Sequence, residues 1–234
     1  MNIRYLSTAL VLALLVAAPA LALEKSAAPF NDSERPWAAG STATITYFNI
    51  CTGWIWIWSG WSPGDRVGVS AELPASFCSV VQTWHYFTTG APGGYGFTGT
   101  LSLEPVDAND CPSGAPFASQ AFLPVSGWNS AIWSVFPSGD FAVVNAFGDG
   151  VGNPAGLATD HPAAGPTGPA ACGFCYPSTR VNHTFYWGRA ASPLCPGSAF
   201  NDGVCNAEFV WDIEAVCADY ILPESWAAVK QLYR

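Results

Sequence analysis

Apolar and polar positions in this chain repeat mainly at a spacing of two, and no stretch before residue 223 keeps a convincing helical period. The strongest run is Trp-Ile-Trp-Ile-Trp-Ser over 54–59. In a strand, Trp54, Trp56 and Trp58 share one face, and Ile55, Ile57 and Ser59 the other. Both faces are largely apolar, so this strand is expected to be covered on both sides. Residues 42–50 are β-branched and aromatic and read as the strand before it. The turn residues 62–65 follow, then a short strand carrying Val67 and Val69, then a long strand over 77–88. Residues 97–104 alternate most cleanly. Phe97, Leu101 and Leu103 fall on one face, and Thr98, Thr100, Ser102 and Glu104 on the other. That predicts one dry and one wet face, as in an open antiparallel sheet. Further strands are expected near 120–125, 130–136, 141–147, 179–188 and 207–217.

Residues 148–178 are dense in glycine, proline and alanine and read as one long loop, a feature uncommon inside compact domains unless functional or flexible. After Pro223 the period changes. Trp226, Val229, Leu232 and Tyr233 fall at helical spacing, with Glu224 at the start and Lys230 and Arg234 at the end, as the helix dipole favours. This predicts a short amphipathic C-terminal helix, acting as a cap on the domain or as an export or sorting tag. The fold expected is all-β: an antiparallel β-sandwich, jelly-roll-like, of about eight to ten strands, with the long Gly/Pro-rich loop and the terminal helix.

The N-terminus changes the picture of compartment. Arg4, the apolar run Leu10–Val16 and the small residues of Ala20-Leu21-Ala22 make a secretory signal peptide over 1–22. Residues 23–40 then read as a spacer, 41–218 as the disulfide-bonded sandwich and 219–234 as the tail. The run is too short for a retained transmembrane helix. The formal net charge is −9, and loss of Arg4 takes it to about −10. With no basic patch, nucleic acid and anionic membrane surfaces are not expected as partners.

Eight cysteines behind a signal peptide read as disulfides of a secreted, periplasmic or surface protein. Cys195 and Cys205 bracket a short loop whose closure is worth about 3 kcal/mol. Cys51 and Cys217 end the first and last strands and suggest a second bridge. That leaves Cys78 with Cys111 and Cys172 with Cys175. The Cys172-Gly-Phe-Cys175 spacing matches a redox motif, but it lies in a loop rather than at a helix start, so it reads as structural.

The chemistry-bearing candidates are few. Trp54, Trp56, Trp58 and Trp61 form either core packing or a flat platform on which sugar rings stack. Glu104, Glu208, Asp212 and Glu214 lie on or near strands, and the last three share a face by parity. A glycosidase needs two such carboxyl groups across a cleft. His85, His161 and His183 lack zinc-ligand spacing, and no Gly-x-Ser-x-Gly elbow is present. Asp140, Asp149 and Asp160 flank the long loop. They are the set from which calcium would draw ligands, although no calcium-loop pattern is present and no cofactor is expected.

Three stretches carry a resemblance. The tail Glu-Ser-Trp-Ala-Ala-Val-Lys-Gln-Leu-Tyr-Arg looks like short endings that recur on secreted bacterial proteins. Residues 156–189, from Gly-Leu-Ala-Thr-Asp-His-Pro to His-Thr-Phe-Tyr-Trp-Gly-Arg, and 193–212, from Pro-Leu-Cys-Pro-Gly to Val-Trp-Asp, resemble cysteine-containing secreted bacterial proteins. The resemblance implies a compartment and a jelly-roll-like architecture, and carries no activity and no catalytic residue. The function expected is a non-catalytic extracellular domain that contacts a polysaccharide or cell-surface glycan through aromatics. The alternatives are a glycan-active hydrolase with paired carboxylates and a purely structural envelope protein.

Overall fold

The structure is a computed structural model. It describes residues 23–31, 43–73, 78–89, 98–148, 155–163, 165–167, 180–187, 198–202 and 205–217. Within them the chain is all-β, with no helix. One antiparallel sheet contains β1 (Glu24–Pro29), β2 (Ala43–Thr46), β3 (Trp54–Ser59), β5 (Cys78–Thr89), β8 (Gly127–Val135), β10 (Ala155–Asp160) and β15 (Trp211–Cys217). The second contains β4 (Arg66–Ala71), β6 (Gly99–Pro105), β7 (Ala118–Phe122), β9 (Phe141–Phe147), β11 (Thr184–Trp187) and β12 (Ser198–Ala199). A small ribbon pairs β13 (Asn201–Asp202) with β14 (Cys205–Asn206).

The sheets share one core. Val80, Phe87, Leu157 and Ile213 from the first cluster with Val67, Leu101, Leu103 and Val143 from the second. The arrangement is that of a β-sandwich, in which inward side chains of two sheets interdigitate. From β3 to β6, successive strands alternate between the sheets, and they do so again from β7 to β11. Packing is tight where backbones approach. A Cβ on Gly68 would stand 2.5 Å from the Val143 carbonyl oxygen and 3.0 Å from the Trp187 ring.

The first sheet is forked. β8 runs along one edge of β5. On the other edge, β15 pairs with Cys78–His85 and β10 with Phe87–Thr89. The segment 208–210 wedges between β5 and β10: Tyr86 donates to the Val210 carbonyl, Val210 to Ala158 and Asp160 to Glu208. One branch continues from β15 to β2, the other from β10 to β3 and β1.

Several sequence expectations need correction. Residues 24–29, expected in a spacer, form β1 and pair with all of β3 from Glu24↔Ser59 to Pro29↔Trp54. The small side chains of Ser26, Ala27 and Ala28 suit a strand laid along the bulky tryptophan strand. Residues 155–160, expected in the long loop, are β10, held between β3 and β5. Here glycine is required by close approach, because a Cβ on Gly156 would meet Ile57 at 2.3 Å. The expected wet face of 97–104 is wet only at its start, where Thr98 and Thr100 are exposed. Ser102 and Glu104 are buried, and Glu104 accepts from Ser102 and from Arg66 across the sheet.

The disulfide pairing also differs. Cys78 is bonded to Cys217, directly opposite it in the β5–β15 ladder. The expected Cys51–Cys217 and Cys78–Cys111 bridges are therefore absent. β2 runs antiparallel to β15 with Thr46 facing Asp212, so the chain leaving β2 moves away from Cys217. Cys51, Cys111 and Cys205 are also disulfide-bonded. Cys172, Cys175 and Cys195, the signal peptide and the C-terminal tail lie outside the described residues.

Candidate functional site

The tryptophan run behaves as its pattern requires, with both faces engaged. Ile55 and Ile57 join an apolar cluster on the outer side of the first sheet. The indoles point toward the interior. Trp61 is 3% exposed and stacks on Phe147 at 4.9 Å. Trp58 packs edge-on against Phe200 and donates to Thr159. Trp56 is 6% exposed, stacked on His161 at 4.2 Å, with the Lys25 ammonium 4.3 Å from its ring centroid. Trp54 is half-buried at the strand's end. Trp56 and Trp61 are thus core residues, and the four indoles do not form one exposed row. An indole fills more inter-sheet volume than any other side chain, which is why the core takes it.

The outer face of the first sheet carries the aromatics that the sequence did not single out. On β5, Thr83, His85 and Phe87 point inward, so Gln82, Trp84 and Tyr86 point outward. The register aligns three rows across β8, β5, β15 and β2. Trp128 lies beside Tyr86; next come Ser130, Trp84, Asp212 and Thr46; then Ile132, Gln82, Glu214 and Thr44. Trp84, Tyr86 and Trp128 are half-buried, and Ile132 is exposed. Tyr86 and Trp128 meet at 5.6 Å and 75°, an aromatic corner rather than a plane. Phe30 backs Tyr86 edge-on at 4.9 Å, and Phe48 backs Trp128 at 6.4 Å. The rings are held by packing before any ligand arrives, which limits the entropy lost on binding. Polar groups stand beside them. Trp84 donates its indole N–H to Glu214 at 2.8 Å, and the Thr46 hydroxyl donates to Asp212. The only hint in the sequence was the alternation of Gln82, Trp84 and Tyr86 within the long strand.

A second polar cluster fills the fork. Asp160 has no exposed surface. Arg180 grips both its oxygens at 2.8 Å, and the backbone N–H groups of Asn49 and Glu208 donate to it at 2.8 and 2.9 Å. Burial pushes its carboxyl up to about 6, while Arg180 and the backbone donors pull the other way. Glu208 accepts from the His183 N–H and the Thr184 hydroxyl, and Thr184 in turn accepts from the Phe209 N–H. His183 stacks on Tyr47 at 3.6 Å. The physical reason for this cluster is the fork itself. Where a ladder splits, backbone donors lose strand partners, and buried donors must find others. The two carboxylates supply them.

The remaining candidates fall into place from these contacts. His85 is fully buried, its Nε2 on Thr83 and its ring edge-on to Trp211 at 4.4 Å. Burial lowers its pKa to about 3. Glu208 is not on β15 with Asp212 and Glu214 but in the wedge before it. Asp160 is held by Arg180, which removes it from the proposed calcium set; Asp140 is exposed, and Asp149 lies outside the described residues. Among the described residues no cluster of three metal-ligating side chains is present, and no helix is long and apolar enough to cross a membrane.

No family model and no curated protein matches the chain. A solved structure does: the cysteine protease and lectin-like domains of Cwp84, a surface layer associated protein of Clostridium difficile. It superposes with a TM-score of 0.51 over 77% of this chain, at 11% identity. The match spans 37% of that chain's length. The likeness is one of fold, an antiparallel β architecture shared at low identity.

Proposed function

We propose that this chain is a secreted, non-catalytic, jelly-roll-like β-sandwich that binds carbohydrate on the outer face of its first sheet. The observation that carries this reading is the register that puts Trp84, Tyr86 and Trp128 together on that face, half-buried and flanked by Gln82 and Glu214. Sugars present C–H faces that stack on aromatic rings and hydroxyls that need a few placed acceptors and donors, and this face offers both kinds of group. The alternation of strands between sheets supports the jelly-roll reading. The N-terminal leader and the Cys78–Cys217 bridge support an extracellular setting. The solved neighbour includes a lectin-like domain from a surface-layer protein, which agrees with this direction.

The hydrolase alternative fares less well. Asp212 is 2% exposed and bound to Thr46, and Asp160 and Glu208 are occupied by Arg180, backbone N–H groups and Thr184. Carboxyls so engaged leave little room for the attacking water that an inverting mechanism needs.

The test is binding to a panel of polysaccharides by wild type, Trp84→Ala, Trp128→Ala and Trp56→Ala. A central aromatic anchor is worth about 2 kcal/mol, so Trp84→Ala and Trp128→Ala are expected to weaken binding about 30-fold. Trp56→Ala is expected to lower the melting temperature instead. Binding to no polysaccharide, or binding untouched by both outer-face variants, removes the proposal.

A further inference from the structure

The charge around the aromatic face restricts what kind of sugar it suits. Among the described residues, every outward position on β8, β5, β15 and β2 is neutral or acidic; none is lysine or arginine. Glu214 is 7% exposed. Its Oε1 accepts the Trp84 indole N–H, a neutral donor, and no basic group among the described residues pairs with it. Asp212 sits two residues away on the same face, and i, i+2 positions of a strand are about 7 Å apart. Glu214 is therefore a carboxylate in a partly desolvated niche beside an indole, with Asp212, bonded to Thr46, next to it on the same face. A charge held that way is costly until an opposite charge arrives. The faces of Trp84 and Tyr86 attract cations for a separate reason, the ring quadrupole. An anionic polymer meets the reverse: like charge at close range in reduced dielectric, on a protein whose net charge is already −9.

We infer that the outer face, with Glu214 fixed beside Trp84, selects glycans bearing free amino groups over their N-acetylated and acidic counterparts. This rests on the carbohydrate-binding reading and narrows it to an amino-sugar polymer. The ammonium sits against Glu214 and the ring faces, and the sugar C–H face lies on Trp84 and the Tyr86–Trp128 corner.

The experiment compares three oligosaccharides of equal length by calorimetry: a glucosamine oligomer, its fully N-acetylated form and a galacturonic acid oligomer. The pH is one at which the sugar amines are protonated. The glucosamine oligomer is expected to bind about tenfold tighter than the acetylated one, a difference of about 1.4 kcal/mol, and the acidic oligomer not at all. Added salt is expected to erode only the binding of the amine form. Glu214→Gln is nearly isosteric and is expected to abolish the preference while sparing binding of the acetylated oligomer. The salt dependence of wild type tests the same point should that variant fold poorly. Equal affinity for free and acetylated oligomers, or a preference that survives both salt and Glu214→Gln, overturns the inference. So does an oligolysine of the same charge binding as tightly, since the face would then read charge without sugar. If Trp84→Ala weakens all oligomers equally and Glu214→Gln changes nothing, carbohydrate binding stands and only the amine selectivity falls. If no oligomer or polysaccharide binds, both fall.

Discussion

His85 makes the folded state sensitive to acid, and the size of the effect follows from its surroundings. The ring is fully buried against Trp211, Phe122 and Phe87, with one nitrogen on Thr83. Its other ring nitrogen, Nδ1, is buried without a hydrogen-bond partner. A protonated imidazole there would be a buried cation with no counter-charge. Burial accordingly lowers its pKa from 6.5 to about 3. A group with a depressed folded pKa binds fewer protons folded than unfolded, so the stability linked to it is complete above the unfolded pKa and is lost as pH falls. Between about pH 6.5 and about pH 4.5 the loss is about 3 kcal/mol, at 1.36 kcal/mol per unit. Asp160 acts with the opposite sign. Its folded pKa is raised to about 6, so its contribution is present at low pH and is lost as pH rises through that value. The two windows overlap, and wild type alone will show a muted pH dependence. The difference between wild type and His85→Phe removes the Asp160 part, because both proteins keep that residue. Urea unfolding at several pH values is the assay. The stability of wild type relative to His85→Phe is expected to fall by about 3 kcal/mol on going from about pH 7 to about pH 4.5. A constant difference across that range would show that His85 titrates normally and is not sealed in the core.

Three other perturbations test separate parts of the fold. Arg180→Met leaves Asp160 buried without its cation and is expected to cost about 3–5 kcal/mol. Adding Asp160→Asn in that background should restore part of it, and a melt that moves no further than a surface substitution would deny the clasp. Gly68→Ala drives a Cβ into the Val143 carbonyl and the Trp187 ring, with an expected loss of about 1–3 kcal/mol by thermal unfolding. Replacing Cys78 and Cys217 together by alanine opens a bridge between residues 139 apart in sequence, which is expected to cost about 2–5 kcal/mol. A melting temperature unchanged by that pair would mean the β5–β15 ladder holds itself.

Period-two patterning was enough to place most strands, because a half-buried sheet forces alternation locally. It located the strands over 54–59, 66–71, 78–89, 127–135 and 141–147 to within a few residues. It left open whether the tryptophan face is core or platform; the structure buries Trp56 and Trp61. It misjudged 24–29 and 155–160, whose alanines, glycine and proline carry a weak strand signal. Those segments are strands because β3 stands between them and pairs with both, while β5 and the 208–210 wedge complete the partners of 155–160.

What the sequence determined by itself is therefore the class of fold, the disulfide chemistry expected of a secreted chain, and the acidic charge balance. What only the tertiary structure decided is which side of each strand faces water. Parity within one strand divides residues into two sets but cannot say which set is inside; that depends on where the second sheet lies. The indoles of Trp56 and Trp61 went into the core and those of Trp84 and Trp128 to the outer face for that reason, and Cys78 met Cys217 rather than Cys111 because the β5–β15 register sets them opposite each other. Register between strands far apart in sequence sets these neighbours, and register is a property of the assembled sheets, not of any single stretch.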